Sequence, residues 1–400
     1  PRSTLFPYTT LFRSPYTMGG GIARWMGELA RHYPPGELVV STGMWPDSEE
    51  SDAAIPQKVD RIALSAKRLK TLQGLLLWSH RAAVLTRSLA AEFTWCGNFK
   101  PATYPARWVH ERQGVPYGII FHGTDLLKLQ HRIHQSSVKR RAAEVLLRSA
   151  AVLVANSRWT ADLCRQVLTE IGFGADSHDV RVVPLGTDPT RFRPGLDTEP
   201  VRVKYRLDRG RWLLTVARLV EHKGIDTAIR AFAQVAAAYP DLRYAVAGAG
   251  AMRKPLEGLA TSLGVGDRVR FLGPVPDAEL PALLNVAEVY VGASRAMGDQ
   301  VEGFGIALAE ASASGVPVVG GTAGGMPDAV REGETGLLAD GEDPAAVAAA
   351  VRSLLDNESL RAGLGAAGRK AVETYYNWDR VTKDLRRIAA EAATKVLRRD

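Results

Sequence analysis

The sequence predicts an α/β protein made of two halves, each a parallel sheet covered by helices. Three observations predict it. At 400 residues the chain is longer than one ordinary domain needs. Short runs of Val, Ile, Leu and Ala alternate with helical patterns almost throughout, as strands buried on both faces require. A Pro- and Gly-containing stretch, Arg193 to Pro200, separates the two alternating series.

The first half starts with a stretch that does not read as fold. Thr4-Leu5-Phe6 recurs as Thr10-Leu11-Phe12, and Pro7-Tyr8-Thr9 as Pro15-Tyr16-Thr17. There is no initiator Met, no signal-peptide pattern and no clean strand. Residues 1–14 are therefore read as a non-native, adapter-like segment that is poorly ordered, and the native first strand is expected to be missing. Gly19-Gly20-Gly21 then opens a helix, Ile22 to His32, with apolar Ile22, Trp25, Met26, Leu29 and Ala30. Pro34-Pro35 ends it. Strands follow at 37–42 and 59–64, with a polar loop at 46–58 between them. A long helix covers 72–91, a short strand 92–99, a helix 102–113 and a buried strand 116–121 that leads to His122-Gly123-Thr124-Asp125. His131 and His134 fall on a polar stretch read as surface. A helix at 136–149, a strand at 151–155, a helix at 159–171 capped by Asn156-Ser157, and a strand at 180–183 complete the half.

The second half repeats the alternation. Strands are expected at 212–217, 243–247, 269–272, 289–292, 317–320 and 336–339. Helices are expected at 225–238, 254–263, 278–285, 306–314, 344–355 and 359–373. Two such series make two Rossmann-like domains. The expected boundaries are 1–14 for the foreign segment, 15–194 for the first domain and 195–375 for the second. The last amphipathic helix, 376–400, has no strand to follow and is expected to return to the first domain.

Composition narrows the partners. The chain is 46% apolar and 24% charged, an ordinary soluble profile. No apolar run reaches the ~18–20 residues that span a bilayer. Cys96 and Cys164 show no metal spacing and read as reduced thiols of a cytoplasmic protein. A net charge of +8 favours an anionic partner. Zinc-finger spacing and aromatic-rich basic ribbons are missing, which argues against nucleic acid.

Parallel sheets bind ligands beyond the carboxyl ends of their strands, and the chemistry-bearing residues fall there. Glu302 and Glu310 lie eight positions apart, with Gly303 and Gly305 between them ahead of a helix from Ile306. Such a loop turns backbone N–H groups toward an anion, and the helix dipole adds positive potential. Two acids beside an anion site suit hydroxyl groups, as on sugars and ribose; the bland reading is a pair of surface acids. Arg218 and Lys223 flank a strand-to-helix turn and can clamp a diphosphate, or be solvated cations. Gly20 and Gly21 form a phosphate-type turn, or a flexible join after the foreign segment. His122 can donate to a phosphate or a sugar hydroxyl, or be a core histidine. The glycine triplet is neither a dinucleotide fingerprint nor a Walker loop. No Asp-x-Asp follows a strand, so no metal is expected. The Lys139-Arg140-Arg141 helix reads equally as a solvated face and as a contact for anionic lipid.

Taken together, these residues resemble the family 4 retaining glycosyltransferases of the GT-B fold. The resemblance rests on Glu302 and Glu310 in an E-x7-E pattern, on Ala217-Arg218-Leu219 with His222-Lys223-Gly224, and on His122-Gly123, Asn156-Ser157 and Pro184-Leu185-Gly186-Thr187-Asp188. Phe271-Leu272-Gly273 and Gly315-Val316-Pro317-Val318-Val319 fit as well. Leu185 stands where the family often has Asn or Pro. The run from Val301 to Ile306, after a longer loop at 295–300, looks most like the phosphatidylinositol mannosyltransferase branch, which uses GDP-mannose.

The resemblance implies two domains facing a central cleft and transfer of a hexose, with mannose expected, from a nucleotide-diphosphate sugar to a lipid or glycan acceptor. It implies catalytic roles for His122, Arg218, Lys223 and Glu302. It implies donor binding by Gly20, Gly21, Phe304, Gly305, Ile306 and Glu310, with Glu310 on the ribose. No cofactor is expected beyond the nucleotide-sugar co-substrate. The expected location is cytoplasmic, with peripheral contact at the anionic inner face of the membrane. The rival readings are a GT-B-fold nucleotide-sugar epimerase, which needs no acceptor, and a non-catalytic nucleotide-sugar-binding protein.

Overall fold

The computed structural model describes residues 4–7, 20–43, 52–53, 55–62, 68–174 and 176–397. The chain divides into two units, Pro1–Val183 with Trp378–Asp400, and Pro184–Asn377. The boundaries fall at 183/184 and 377/378 rather than the expected 194/195 and 375/376, for a local reason. The Thr187 N–H donates to the Tyr376 carbonyl at 2.9 Å, and a Cβ on Gly186 would meet the Asn377 backbone at 2.5 Å. The two segments where the chain passes between units therefore pair with each other inside the second unit.

The first unit is a seven-stranded parallel sheet in the order β3-β2-β1-β4-β5-β6-β7. Its strands are β1 (Thr4–Pro7), β2 (Leu38–Gly43), β3 (Lys58–Ile62), β4 (Phe93–Cys96), β5 (Tyr117–Phe121), β6 (Val152–Ala155) and β7 (Val180–Val182). Every residue of β2, β4, β5 and β6 is buried, which is why these strands read as continuous apolar runs. The expectation of no clean strand within residues 1–14 is corrected. Thr4–Pro7 occupies the centre of the sheet, with Leu5 opposite Val39 on β2 and opposite Thr94 on β4. The run is short and of mixed polarity, so periodicity alone gave no strand.

Two helices were also missed. Thr124–Gln135 is helical, with Leu126, Leu129 and Ile133 buried on one face and His131 and His134 on the exposed one. Glu199–Tyr205 is a short helix that begins at the end of the expected linker, with Pro200 in its first turn, where a missing N–H costs nothing. The Trp378–Leu397 helix belongs to the first unit. It is tied there by Arg386 to Glu37 at 2.6 Å, Asp379 to His32 at 3.0 Å and Lys395 to Asp179 at 3.0 Å.

The second unit is a six-stranded parallel sheet in the order β10-β9-β8-β11-β12-β13. Its strands are β8 (Arg211–Val216), β9 (Leu242–Ala247), β10 (Val269–Gly273), β11 (Val289–Gly292), β12 (Val318–Gly321) and β13 (Leu337–Ala339). Its core joins Leu213, Val246, Val289 and Val319 from the strands to Ile229, Phe232 and Leu354 from the helices. The order reverses between β8 and β11, which pair directly, Leu213 opposite Val289. Open parallel sheets part their loops at such a reversal and bind ligands there.

Candidate functional site

The loops that leave β8 and β11 carry most of the expected residues. After β8 the chain passes Arg218, makes a short 3-10 turn at Glu221–Lys223, and enters the Ile225–Ala236 helix through Gly224. After β11 it runs through Arg295 and Glu302 to Gly305, which caps the Ile306–Ala313 helix. Glycine is required at two of these turns. Gly224 has φ +63, and a Cβ there would lie 1.8 Å from the Ala293 carbonyl oxygen. Gly324 has φ +65, and its Cβ would lie 2.3 Å from the carbonyl oxygen of Glu302. These two glycines let neighbouring loops pack backbone to backbone.

The Lys223 ammonium forms an ion pair with the Glu302 carboxylate. Their side chains are only 17% and 21% exposed, so the pair is partly shielded from water. Burial pushes the Glu302 carboxyl up. Lys223 beside it, by charge and hydrogen bond, then His222 and Arg218, hold it below the usual carboxylate range. Burial pulls the His222 imidazole down, and the charges of Lys223, Arg218 and Arg295 pull the same way, against Glu302. His222 is therefore neutral near pH 7. The Arg218 side chain is exposed and has no ion-pair partner among the described residues. The site thus holds a free guanidinium, a paired ammonium and a carboxylate within one electrostatic neighbourhood.

The Ile306–Ala313 helix supplies the rest. Phe304 and its cap Gly305 lead into it and Ile306 opens its first turn, where the dipole favours an anion. Phe304 is buried, with its ring 6.1 Å from that of Tyr376. Glu310 is 3% exposed. Burial pushes the phenol of Tyr290 up and the Glu310 charge adds to it, while the Val216 N–H, which donates to the phenol oxygen at 3.4 Å, lowers it; the Tyr290 hydroxyl itself donates to the Val216 carbonyl at 3.2 Å. Glu310 thus stands beside the β8–β11 pair.

The first unit places the other expected residues. His122 follows β5 and is 6% exposed. Its Nε2 lies 2.9 Å from the Gly97 carbonyl oxygen, an acceptor only, so Nε2 carries the proton. Burial drives the imidazole to its neutral form, against the charge of Asp125 and the bond to Gly97. Nδ1 is then left as an acceptor. His122 can take a hydrogen bond from a hydroxyl, and the expected donation to a phosphate through a second N–H is not available. Burial likewise pushes Asp125 up toward its neutral form, against His122 and the backbone N–H groups of His122 and Leu126.

Gly20 and Gly21 need correction. They lie in the first turn of the Gly20–His32 helix, not in a loop ahead of it, because the helical pattern extends back through them. Their N–H groups remain among the unpaired donors of a helix start. Gly19 lies outside the described residues. Asn156-Ser157 is a cap, with Ser157 accepting from the Thr160 N–H at 3.1 Å.

Sequence reasoning missed Arg295. It donates its N–H to the His222 carbonyl at 2.9 Å and its Nη1 to Asp226 and to Thr227 Oγ1. It also missed an apolar stripe on the Arg68–Ser88 helix, where Leu72, Leu76, Leu77 and Val84 are all more than half exposed. The four-residue spacing of Leu72, Leu76 and Val84 was the available signal. In the basic helix, Arg141 and Arg148 both pair with Glu144, while Lys139 and Arg140 stay exposed. Among the described residues no group of three or more His, Cys, Asp or Glu is placed to hold a metal, and no helix is long and apolar enough to cross a membrane.

Residues 197–371 match the family model of the glycosyl transferases group 1. The chain is 34% identical over 245 residues to the GDP-mannose-dependent alpha-(1-6)-phosphatidylinositol monomannoside mannosyltransferase of Mycobacterium tuberculosis, covering 56% of this chain and 64% of that one. It is 38% identical over 199 residues to the Mycolicibacterium smegmatis protein of the same name, covering 49% and 52%. The chain thus spans between about half and just under two thirds of the length of these relatives. In structure it is similar to the Anabaena HepE protein crystallised with UDP and glucose, with a TM-score of 0.77 and 19% identity over 98% of this chain and 100% of that one, a likeness of fold alone.

Proposed function

We propose that this chain, which has the GT-B fold and matches the group 1 glycosyl transferases over residues 197–371, is a retaining, metal-independent mannosyltransferase. In this reading it moves mannose from GDP-mannose to a phosphatidylinositol-mannoside-type lipid. The carrying observation is the cluster of Arg218, Lys223 and Glu302 in the loops that follow β8 and β11, ahead of the helix start at Ile306.

Arg218 and Lys223 take the donor diphosphate and stabilise the charge that develops as the sugar–phosphate bond breaks. The helix N–H groups bind the same anion. Glu302 accepts hydrogen bonds from the donor sugar and Glu310 from the ribose; in the first unit, neutral His122 keeps Nδ1 as an acceptor for a hydroxyl. The acceptor oxygen bonds to the anomeric carbon on the face the diphosphate leaves. The acceptor proton passes to a phosphate oxygen of the departing nucleoside diphosphate. No side chain need act as nucleophile, and two cations stand where a metal would otherwise neutralise the phosphates.

A lipid acceptor requires contact with a membrane face. The exposed Leu72, Leu76, Leu77 and Val84, with exposed Lys139 and Arg140, support peripheral attachment from the first unit at an anionic surface. The test is a thermal-shift screen against GDP, UDP and ADP, then NMR of the product's anomeric centre. A shift with GDP alone and a retained α configuration are expected. No shift with any nucleotide, or inversion, would refute the reading.

A further inference from the structure

The ion pair between Lys223 and Glu302 has a cost for any ligand that uses Lys223. The backbones on both sides are pinned. The Gly325 N–H donates to the Glu302 carbonyl at 2.9 Å, and Gly324 packs on that same oxygen. The Lys223 N–H donates to the Val220 carbonyl at 3.1 Å, and Gly224 packs on Ala293. Arg295 joins the two loops through His222 and Asp226. The pair is therefore parted by rotating side chains, not by moving loops.

We infer that Glu302 makes the site discriminate against its own product: it competes with the nucleoside diphosphate for Lys223, and only a sugar on the diphosphate relieves the competition. This inference rests on the donor-site reading above. A carboxylate is an acceptor only. When a diphosphate draws Lys223 away, Glu302 loses its counter-ion and faces a like charge in a partly buried place, where such repulsion is weakly screened. A sugar on the β-phosphate supplies hydroxyl donors that take the place of the ammonium. With the sugar-bearing donor, Lys223 goes to phosphate and Glu302 to hydroxyl, and both are satisfied. Once the sugar has been transferred, Glu302 has no donor left and returns to Lys223. The diphosphate then loses a cation and leaves. Glu302 thus acts twice, holding the donor sugar and hastening release of the spent nucleotide.

The test is calorimetric binding of GDP and of GDP-mannose to the full chain, as wild type, Glu302→Gln and Glu302→Ala. The wild type is expected to bind GDP-mannose more tightly than GDP. Glu302→Gln removes the competing charge at nearly constant shape, so GDP affinity is expected to rise about tenfold. GDP-mannose affinity is expected to stay or fall, so the preference for the sugar collapses. Glu302→Ala gives the same direction for GDP and stands in if the Gln variant misfolds. Wild type binding GDP more tightly than GDP-mannose, or either variant binding GDP no better than wild type, overturns the inference while leaving the donor site standing. A wild type that takes up neither GDP, UDP or ADP nor their sugars overturns both.

Discussion

Arg295 grips Asp226 across two loops, with Nη1 2.9 Å from Oδ1 and 3.1 Å from Oδ2. The contact fixes the loop that carries Glu302 against the helix that follows Lys223. It also neutralises a carboxylate that would otherwise face an incoming anion from the first helical turn. Arg295→Ala is expected to raise KM for the donor severalfold and to lower stability by about 1–2 kcal/mol, the scale of lost charged hydrogen bonds. Steady-state kinetics and a thermal melt check both. Unchanged donor KM would make Arg295 a bystander.

Lys223→Ala removes the partly buried cation proposed for the diphosphate. Turnover is expected to fall about 10²–10³-fold, as when one oxyanion donor is lost. The same change strands Glu302 without its counter-ion, so burial then dominates its carboxyl and raises it. Single-turnover rates compare the variant with wild type, and a near-normal rate would remove Lys223 from the chemistry.

Gly324→Ala tests the loop packing. A Cβ at that turn would strike the Glu302 carbonyl oxygen and also demand a left-handed backbone. Stability is expected to fall by about 2 kcal/mol or more, above the usual cost for a left-handed alanine alone. Denaturant unfolding measures it; a loss under about 0.5 kcal/mol would mean that the loops give way.

The pH dependence of stability follows from three histidines. His122, His178 and His222 are all held below the ordinary imidazole value, with burial the largest cause in each. The folded state binds fewer protons than the unfolded chain between their depressed values and about 6.5. Stability therefore rises with pH through that window and is lost as pH falls back through it. Glu302, also depressed, acts in a lower window: its contribution is present above the ordinary carboxylate range and is lost as pH falls through its folded value. The melting temperature is expected to drop between pH 7.5 and 5.5, and His222→Gln to flatten part of that drop. A variant profile parallel to wild type would contradict this account.

The apolar stripe on the Arg68–Ser88 helix is tested with vesicles. Leu76→Ser with Leu77→Ser is expected to reduce co-sedimentation with anionic vesicles severalfold and to leave GDP binding unchanged. Equal sedimentation would place the membrane contact elsewhere.

The second unit was legible because each strand is a short Val- or Leu-rich run and each glycine-bearing turn follows one. The pair Arg218 and Lys223 is far in sequence from the pair Glu302 and Glu310, but the first pair follows β8 and the second follows β11, so the reversal rule brings them together. The ion pair was not legible, because no spacing shows that Lys223 and Glu302 touch. Arg295 was hidden for the same reason, since its partners lie on another loop. His122 was found, but its tautomer depends on the Gly97 carbonyl, which only folding supplies. Thr4–Pro7 was missed because a four-residue strand of mixed polarity carries little periodic signal.

The central claim is that the β8–β11 reversal binds a nucleotide-diphosphate sugar and transfers its hexose. It is tested most directly by transfer of radiolabelled mannose from GDP-mannose to phosphatidylinositol monomannoside in vesicles, by wild type and by Arg218→Ala. The account predicts labelled lipid with the wild type and at least a hundredfold less, on the order of a lost oxyanion contact, with the variant. Equal transfer by both, or release of free mannose with no labelled lipid, would contradict it.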